Sequence, residues 1–105
     1  MRVISGEKKC MNLIGPKDSS ARPTEDRIKE AIFNILHIIE PDSIAVDLFA
    51  CTGSIGLEFL SRGSKRVYFS EINKENIKRL KFNIDKANYQ DKSIILEGDF
   101  RMNLD

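Results

Sequence analysis

Three short apolar runs separated by stretches of helical periodicity constrain this chain more than any other feature. The run Ile44-Ala45-Val46-Asp47-Leu48-Phe49 is apolar on both faces except at Asp47, residues 66–70 hold Val67, Tyr68 and Phe69 in a row, and residues 93–97 close the series. After the first run comes a glycine-containing turn and a short helix that Gly63 would end at its C′ position. After the second, Asn73 would cap a helix whose apolar stripe is Ile77, Leu80, Ile84 and Ala87. Strands alternating with helices of this length predict β-α-β-α-β, the first half of a Rossmann-like, doubly wound α/β sheet with right-handed crossovers. A first strand apolar on both faces predicts burial between two layers of helices.

Upstream, Arg2 to Gly6 and Cys10 to Gly15 flank a Gly-Glu-Lys-Lys turn and predict a small β-hairpin. Residues 16–23 are polar, hold two of the three prolines and read as a loop. Thr24 would cap a helix carrying Ile28, Ala31, Ile32, Ile35, Leu36 and Ile39 on one face, ended by Pro41. The chain thus divides into a hairpin and loop over 1–23 and an incomplete domain over 24–105.

With 41% hydrophobic and 31% charged residues, disorder and collagen-like repeats are excluded. The apolar runs are too short to span a bilayer and the N-terminus has no apolar leader, so no membrane partner and a cytoplasmic location are expected. Cys10 and Cys51 form no CxxC pair, which predicts reduced thiols, with neither a metal site nor a disulfide. Net charge is +1, but residues 1–23 hold Arg2, Lys8, Lys9, Lys17 and Arg22 against Glu7 and Asp18, a local balance of +3. A basic arm on a near-neutral body can hold a phosphate backbone, with Lys8 and Lys9 as candidate contacts; an ordinary solvated surface has the same charge.

Ligands of doubly wound sheets bind beyond the carboxyl ends of the strands, and acids and glycines concentrate there. After the first strand, Asp47 to Gly56 follows a G-x-G-x-x-G pattern with Cys51 in the first glycine position; Gly53 would let backbone approach a ligand, and Gly56 would let the helix pack on the sheet. After the second comes Glu71, able to accept two ribose hydroxyl bonds. After the third come Asp99, an acceptor for an adenine amino group, and Phe100, an aromatic for stacking. Asp47 would attract an ammonium and repel a pyrophosphate. That favours S-adenosylmethionine over a dinucleotide.

The stretch DLFACTGSIGLEFLSRGS, Asp47 to Ser64, resembles the signature of the RsmD-type 16S ribosomal RNA guanine-N2 methyltransferases. Arg22-Pro23-Thr24 with Asp26-Arg27, the run Glu30 to Leu36, and the opening Arg2 to Gly6 resemble the same family, so the likeness covers nearly the whole chain. It implies methyl transfer from S-adenosylmethionine to a guanine amino group of ribosomal RNA, free or in a small-subunit assembly particle. It also places Asp47, Phe49 and Gly53 in the cofactor loop, Glu71 at the ribose and Asp99 at the adenine, with Arg22 and Thr24 bordering the cleft. Methylation of another base in RNA or DNA, and a non-catalytic nucleotide-binding module, are the alternatives. Two departures stand out. Cys51 replaces the family's glycine, at a cost of about 1 kcal/mol if its φ is positive. The [ND]-P-P-[FY] tetrapeptide that holds the target nitrogen is absent, so no catalytic residue is assigned and the chain alone is expected to be inactive. The first strand, central in the full sheet, would be left as an open edge through which two copies could associate.

Overall fold

The computed structural model describes residues 1–15, 22–36, 38–48 and 50–98, the side chains of 22–26 excepted. In chain order the elements are α1 (Arg22–Leu36), β1 (Ile44–Asp47), α2 (Ser54–Ser61), β2 (Arg66–Glu71), α3 (Lys74–Ala87) and β3 (Ser93–Glu97). A single turn of 3₁₀ helix, Gln90–Lys92, leads into β3. The strands pair in parallel in the order β1-β2-β3, with Ala45 opposite Val67, Asp47 opposite Phe69, and Phe69 opposite Ile95. This is the expected α/β half-sheet.

Helix boundaries follow local chemistry. Asn73 caps α3, its Oδ1 accepting from the Asn76 N–H at 3.0 Å. At the other end of α2, Gly63 (φ 118°) donates to the Leu60 carbonyl at 3.2 Å and Ser64 to that of Phe59 at 3.0 Å, the paired bonds of a Schellman motif. Gly56 is needed for packing: a Cβ there would stand 2.2 Å from the Phe69 ring. The predicted stripe of α3 is buried as expected, and Leu57, Leu60, Val67 and Phe69 complete the core with Val3 and Leu13 from the N-terminal arm.

Four details differ from the sequence reading. The hairpin is a minimal antiparallel pairing with one bridge, Arg2 to Asn12, supported by Val3 N–H to the Met11 carbonyl and Cys10 N–H to the Val3 carbonyl, both at 2.9 Å. Thr24 does not cap α1. The helix already begins at Arg22, because Pro23 in a first turn has no N–H to lose there.

The inward face of α1 also differs. Lys29 and Phe33 are buried at 1% and 2% exposure, while Ile28, Ile35 and Leu36 are 50%, 79% and 44% exposed. Periodicity identifies a helix but does not say which face meets a partner, and here a paired ammonium displaces the isoleucines. Lastly, β1 is not covered on both faces. Ile44 and Val46 are each 59% exposed, and with Tyr68, Ile94 and Leu96 they form a sheet face that no described helix covers, since α2 and α3 lie on the other side. The far edge of β1 has no strand partner among the described residues, and a groove of about 390 Å³ runs along it, lined by Val46, Leu48, Ile55 and Phe59 among others.

Candidate functional site

The carboxyl ends of β1 and β2 meet in the turn that follows Asp47. Cys51 (φ 52°) and Gly53 (φ 91°) both adopt left-handed backbone, which folds the chain sharply enough to start α2 directly behind the turn. Cys51 therefore carries the cost anticipated for a side chain at this position. Gly53 could hold no side chain on steric grounds either, because its Cβ would meet Leu80 Cδ1 at 2.4 Å. The Ala50 N–H donates to the Ser70 carbonyl at 3.0 Å, and the Gly53 N–H to that of Ala50 at 2.8 Å.

Glu71 ends β2 and faces this turn. One carboxylate oxygen accepts from the Cys51 N–H at 2.7 Å and the other from the Asn73 N–H at 2.9 Å. A carboxylate offers about four acceptor positions, so both oxygens are oriented by the fold while each retains capacity for a ligand hydroxyl. The Gly98 N–H donates to the Glu71 carbonyl at 3.0 Å, which brings the end of β3 to the same place. Asp47, half-buried, closes β1 beside them. The structure therefore gathers Cys51, Gly53 and Glu71, while Asp47 lines the groove along β1. Phe49, Asp99 and Phe100, and the side chains of Arg22 and Thr24, lie outside the described residues.

A cavity of about 150 Å³ opens on the turn, lined by Ala50, Cys51, Thr52, Ser54 and Ile55, with Met1 from the arm and Ile28 from α1. No lysine or arginine is among these residues. The predicted phosphate-contacting pair is elsewhere. The Glu7 N–H donates to the Ser61 carbonyl at 2.7 Å and the Lys8 N–H to the Ser61 hydroxyl at 2.9 Å, at the far end of α2 from the turn. An eight-residue helix is about 12 Å long, so Lys8 and Lys9 sit at the opposite end of the sheet from Glu71.

The residues that hold this geometry were not singled out in the sequence. Glu58, fully buried, pairs with Lys29 at 3.1 Å and Arg62 at 2.7 Å, and accepts from the Ile4 and Ser5 N–H groups at 2.9 and 3.0 Å. Burial by itself would raise its carboxyl; the Ile4 N–H, Arg62 and Lys29 together outweigh that and hold it below the ordinary carboxylate value. Lys29 also donates to the Arg2 carbonyl and the Ser54 hydroxyl, each at 2.9 Å, so one ammonium joins α1, α2 and the arm. Asn83, fully buried on α3, donates to the Thr52 carbonyl at 2.8 Å and supports the turn from beneath. Its position on the apolar face of α3, three residues after Leu80, was the available signal: a polar amide there must be hydrogen-bonded.

A family model described as "Conserved hypothetical protein 95" matches residues 1–105. The ribosomal RNA small subunit methyltransferase D of Haemophilus influenzae is 39% identical over 84 residues, covering 80% of this chain and 44% of that protein. YlbH of Bacillus subtilis is 40% identical over 84 residues, 80% of this chain and 46% of its own length. The chain spans less than half the length of either relative. Among solved structures, yhhF from Escherichia coli superposes with a TM-score of 0.84 at 25% identity, covering 99% of this chain and 55% of that one.

Proposed function

The chain belongs to the conserved hypothetical protein 95 family, and on that basis we propose that it is the cofactor-binding half of an S-adenosylmethionine-dependent methyltransferase acting on a guanine amino group of 16S ribosomal RNA. The observation that carries the reading is the Glu71 carboxylate, held at the end of β2 by the Cys51 N–H with acceptor capacity left over for a ribose. S-adenosylmethionine, when bound, supplies an electrophilic methyl group. In this proposal Glu71 takes the ribose hydroxyls, Asp47 attracts the ammonium, the backbone of residues 50–53 approaches the methionine portion, and Asp99 and Phe100 take the adenine. The relatives' assignment to ribosomal RNA supports RNA as the substrate, with Arg22 and Thr24 beside the cleft.

Titrating S-adenosylhomocysteine and NAD against the full-length protein, then analysing methylated nucleosides after incubation with 16S ribosomal RNA, tests this directly. N2-methylguanosine is expected; tighter NAD binding, or methylation at another base alone, would reject it.

We further propose that the 105-residue chain alone is inactive and self-associates through the open edge of β1. An edge with no strand partner among the described residues, beside exposed Ile44 and Val46, is a template for a second copy, and a symmetric pairing would add ladder bonds and cover apolar area together. Light scattering at micromolar concentration should report a dimer; a well-folded monomer would contradict it.

A further inference from the structure

Helix α3 grips the N-terminal arm by its main chain. Arg79, Asn83 and Lys86, spaced i, i+4 and i+7 on one helix face, reach the Gly15 carbonyl at 3.1 Å, the Ile14 peptide, and the Asn12 carbonyl at 2.8 Å. Asn83 differs from its neighbours in being fully buried and short. Its Oδ1 accepts from the Ile14 N–H at 2.8 Å, while Nδ2 donates to the Ile14 carbonyl at 2.9 Å and to the Thr52 carbonyl at 2.8 Å. Both amide hydrogens are committed, one to the arm and one to the turn that carries Cys51 and Gly53. A shift of either backbone relative to the other leaves a buried amide or carbonyl unpaired, an expensive state. The turn and the end of the arm therefore move together.

We infer that Asn83 is a positioning residue that couples occupancy of the turn to the placement of the arm. A ligand that immobilises Thr52 also immobilises Ile14 at the end of the described arm. By reciprocity, whatever fixes the arm at Ile14 tightens the turn around its ligand. This inference rests on the turn binding S-adenosylmethionine.

The test is amide hydrogen exchange on the full-length protein with and without S-adenosylhomocysteine. Exchange at Ile14 should slow about tenfold more than at Val3 and Cys10, whose N–H groups bond inside the arm to the Met11 and Val3 carbonyls. Equal slowing at all three reports global stabilisation and overturns the coupling. Asn83→Asp keeps the acceptor for the Ile14 N–H and removes both donated bonds; S-adenosylhomocysteine should bind about tenfold more weakly, the usual scale of coupled sites, and the extra protection at Ile14 should vanish. Extra protection that survives the substitution overturns the role of Asn83. Absence of any S-adenosylhomocysteine binding to the unmodified protein overturns the cofactor reading itself, an outcome distinct from binding without protection.

Discussion

The Glu71 carboxylate accepts the Cys51 N–H at 2.7 Å, so the acid at the end of one strand orients the strained turn after its neighbour. Glu71→Ala removes the proposed ribose acceptor and frees the turn together. In the full-length protein, S-adenosylhomocysteine should bind about 1.5–3 kcal/mol more weakly, the range for hydrogen bonds to a charged group. Calorimetry giving an unchanged affinity would remove Glu71 from the site.

Cys51 is the turn's costly residue. Relief of its left-handed strain in Cys51→Gly is worth about 1 kcal/mol, although added freedom in the unfolded chain cancels much of that in overall stability. The strain is the same before and after a ligand arrives, so a gain in affinity should come instead from removing the side chain that lines the cavity. Cys51→Val, β-branched at the same φ, should weaken binding and lower the melting temperature. The opposite order in paired titrations would show that the sulfur side chain itself contributes to the ligand contact.

Lys29 and Glu58 should respond unequally to substitution. Glu58→Gln removes the counter-charge that Glu58 supplies to a buried ammonium, for which about 3–5 kcal/mol is the usual penalty. Lys29→Met leaves Glu58 with Arg62 and two backbone N–H groups, so the loss should be clearly smaller. Urea denaturation of the two variants reads the difference, and equal losses would mean that Lys29 is the principal partner.

The same cluster contributes to stability at low pH. Because folding lowers the Glu58 carboxyl from its ordinary 4.5, the stabilisation is fully present above that value and is lost as pH falls through the lower, folded value. At the alkaline end, burial first and the Glu7 charge second push the Tyr89 phenol up to about 12 from 10.0. Its stabilisation is complete below pH 10.0 and is lost as pH rises toward about 12. Melting curves across both ranges should show two declines, the acid one absent in Glu58→Gln.

Lys8 and Lys9 stand at the far end of α2 from Glu71, so any role in RNA binding is remote from the chemistry. Reversing both charges should weaken RNA binding, flatten its dependence on salt, and leave S-adenosylhomocysteine affinity unchanged. An unaltered salt slope would return them to an ordinary solvated surface. Lys8 already has local uses, 3.7 Å from the Glu7 carboxylate and 5.6 Å above the Tyr89 ring.

Much of this arrangement was legible before any coordinates. Apolar runs and glycines named the three strands, the cap at Asn73 and the stop at Gly63, since those signals depend on nearest neighbours along the chain. The family resemblance flagged the Cys51 strain, and the strand order placed Glu71 beside the turn. It failed for α1, where six apolar residues outlined a face but the buried residues are Lys29 and Phe33. A helical repeat records that one side differs from the other; the partner that selects a side is contributed by distant sequence.

What the sequence determined by itself was therefore the order and kind of the elements and the chemistry gathered at the strand ends, because backbone propensity, capping and turn conformation are settled within a few residues. Tertiary structure alone decided that Lys29 would be buried rather than solvated, because only folding brings it to Glu58, twenty-nine positions away. It alone decided that Asn83 would join Ile14 to Thr52, and that one face of the sheet would have no described helix against it. Burying a charge or an amide is unfavourable until its partner arrives, and that arrival is a property of the packed chain.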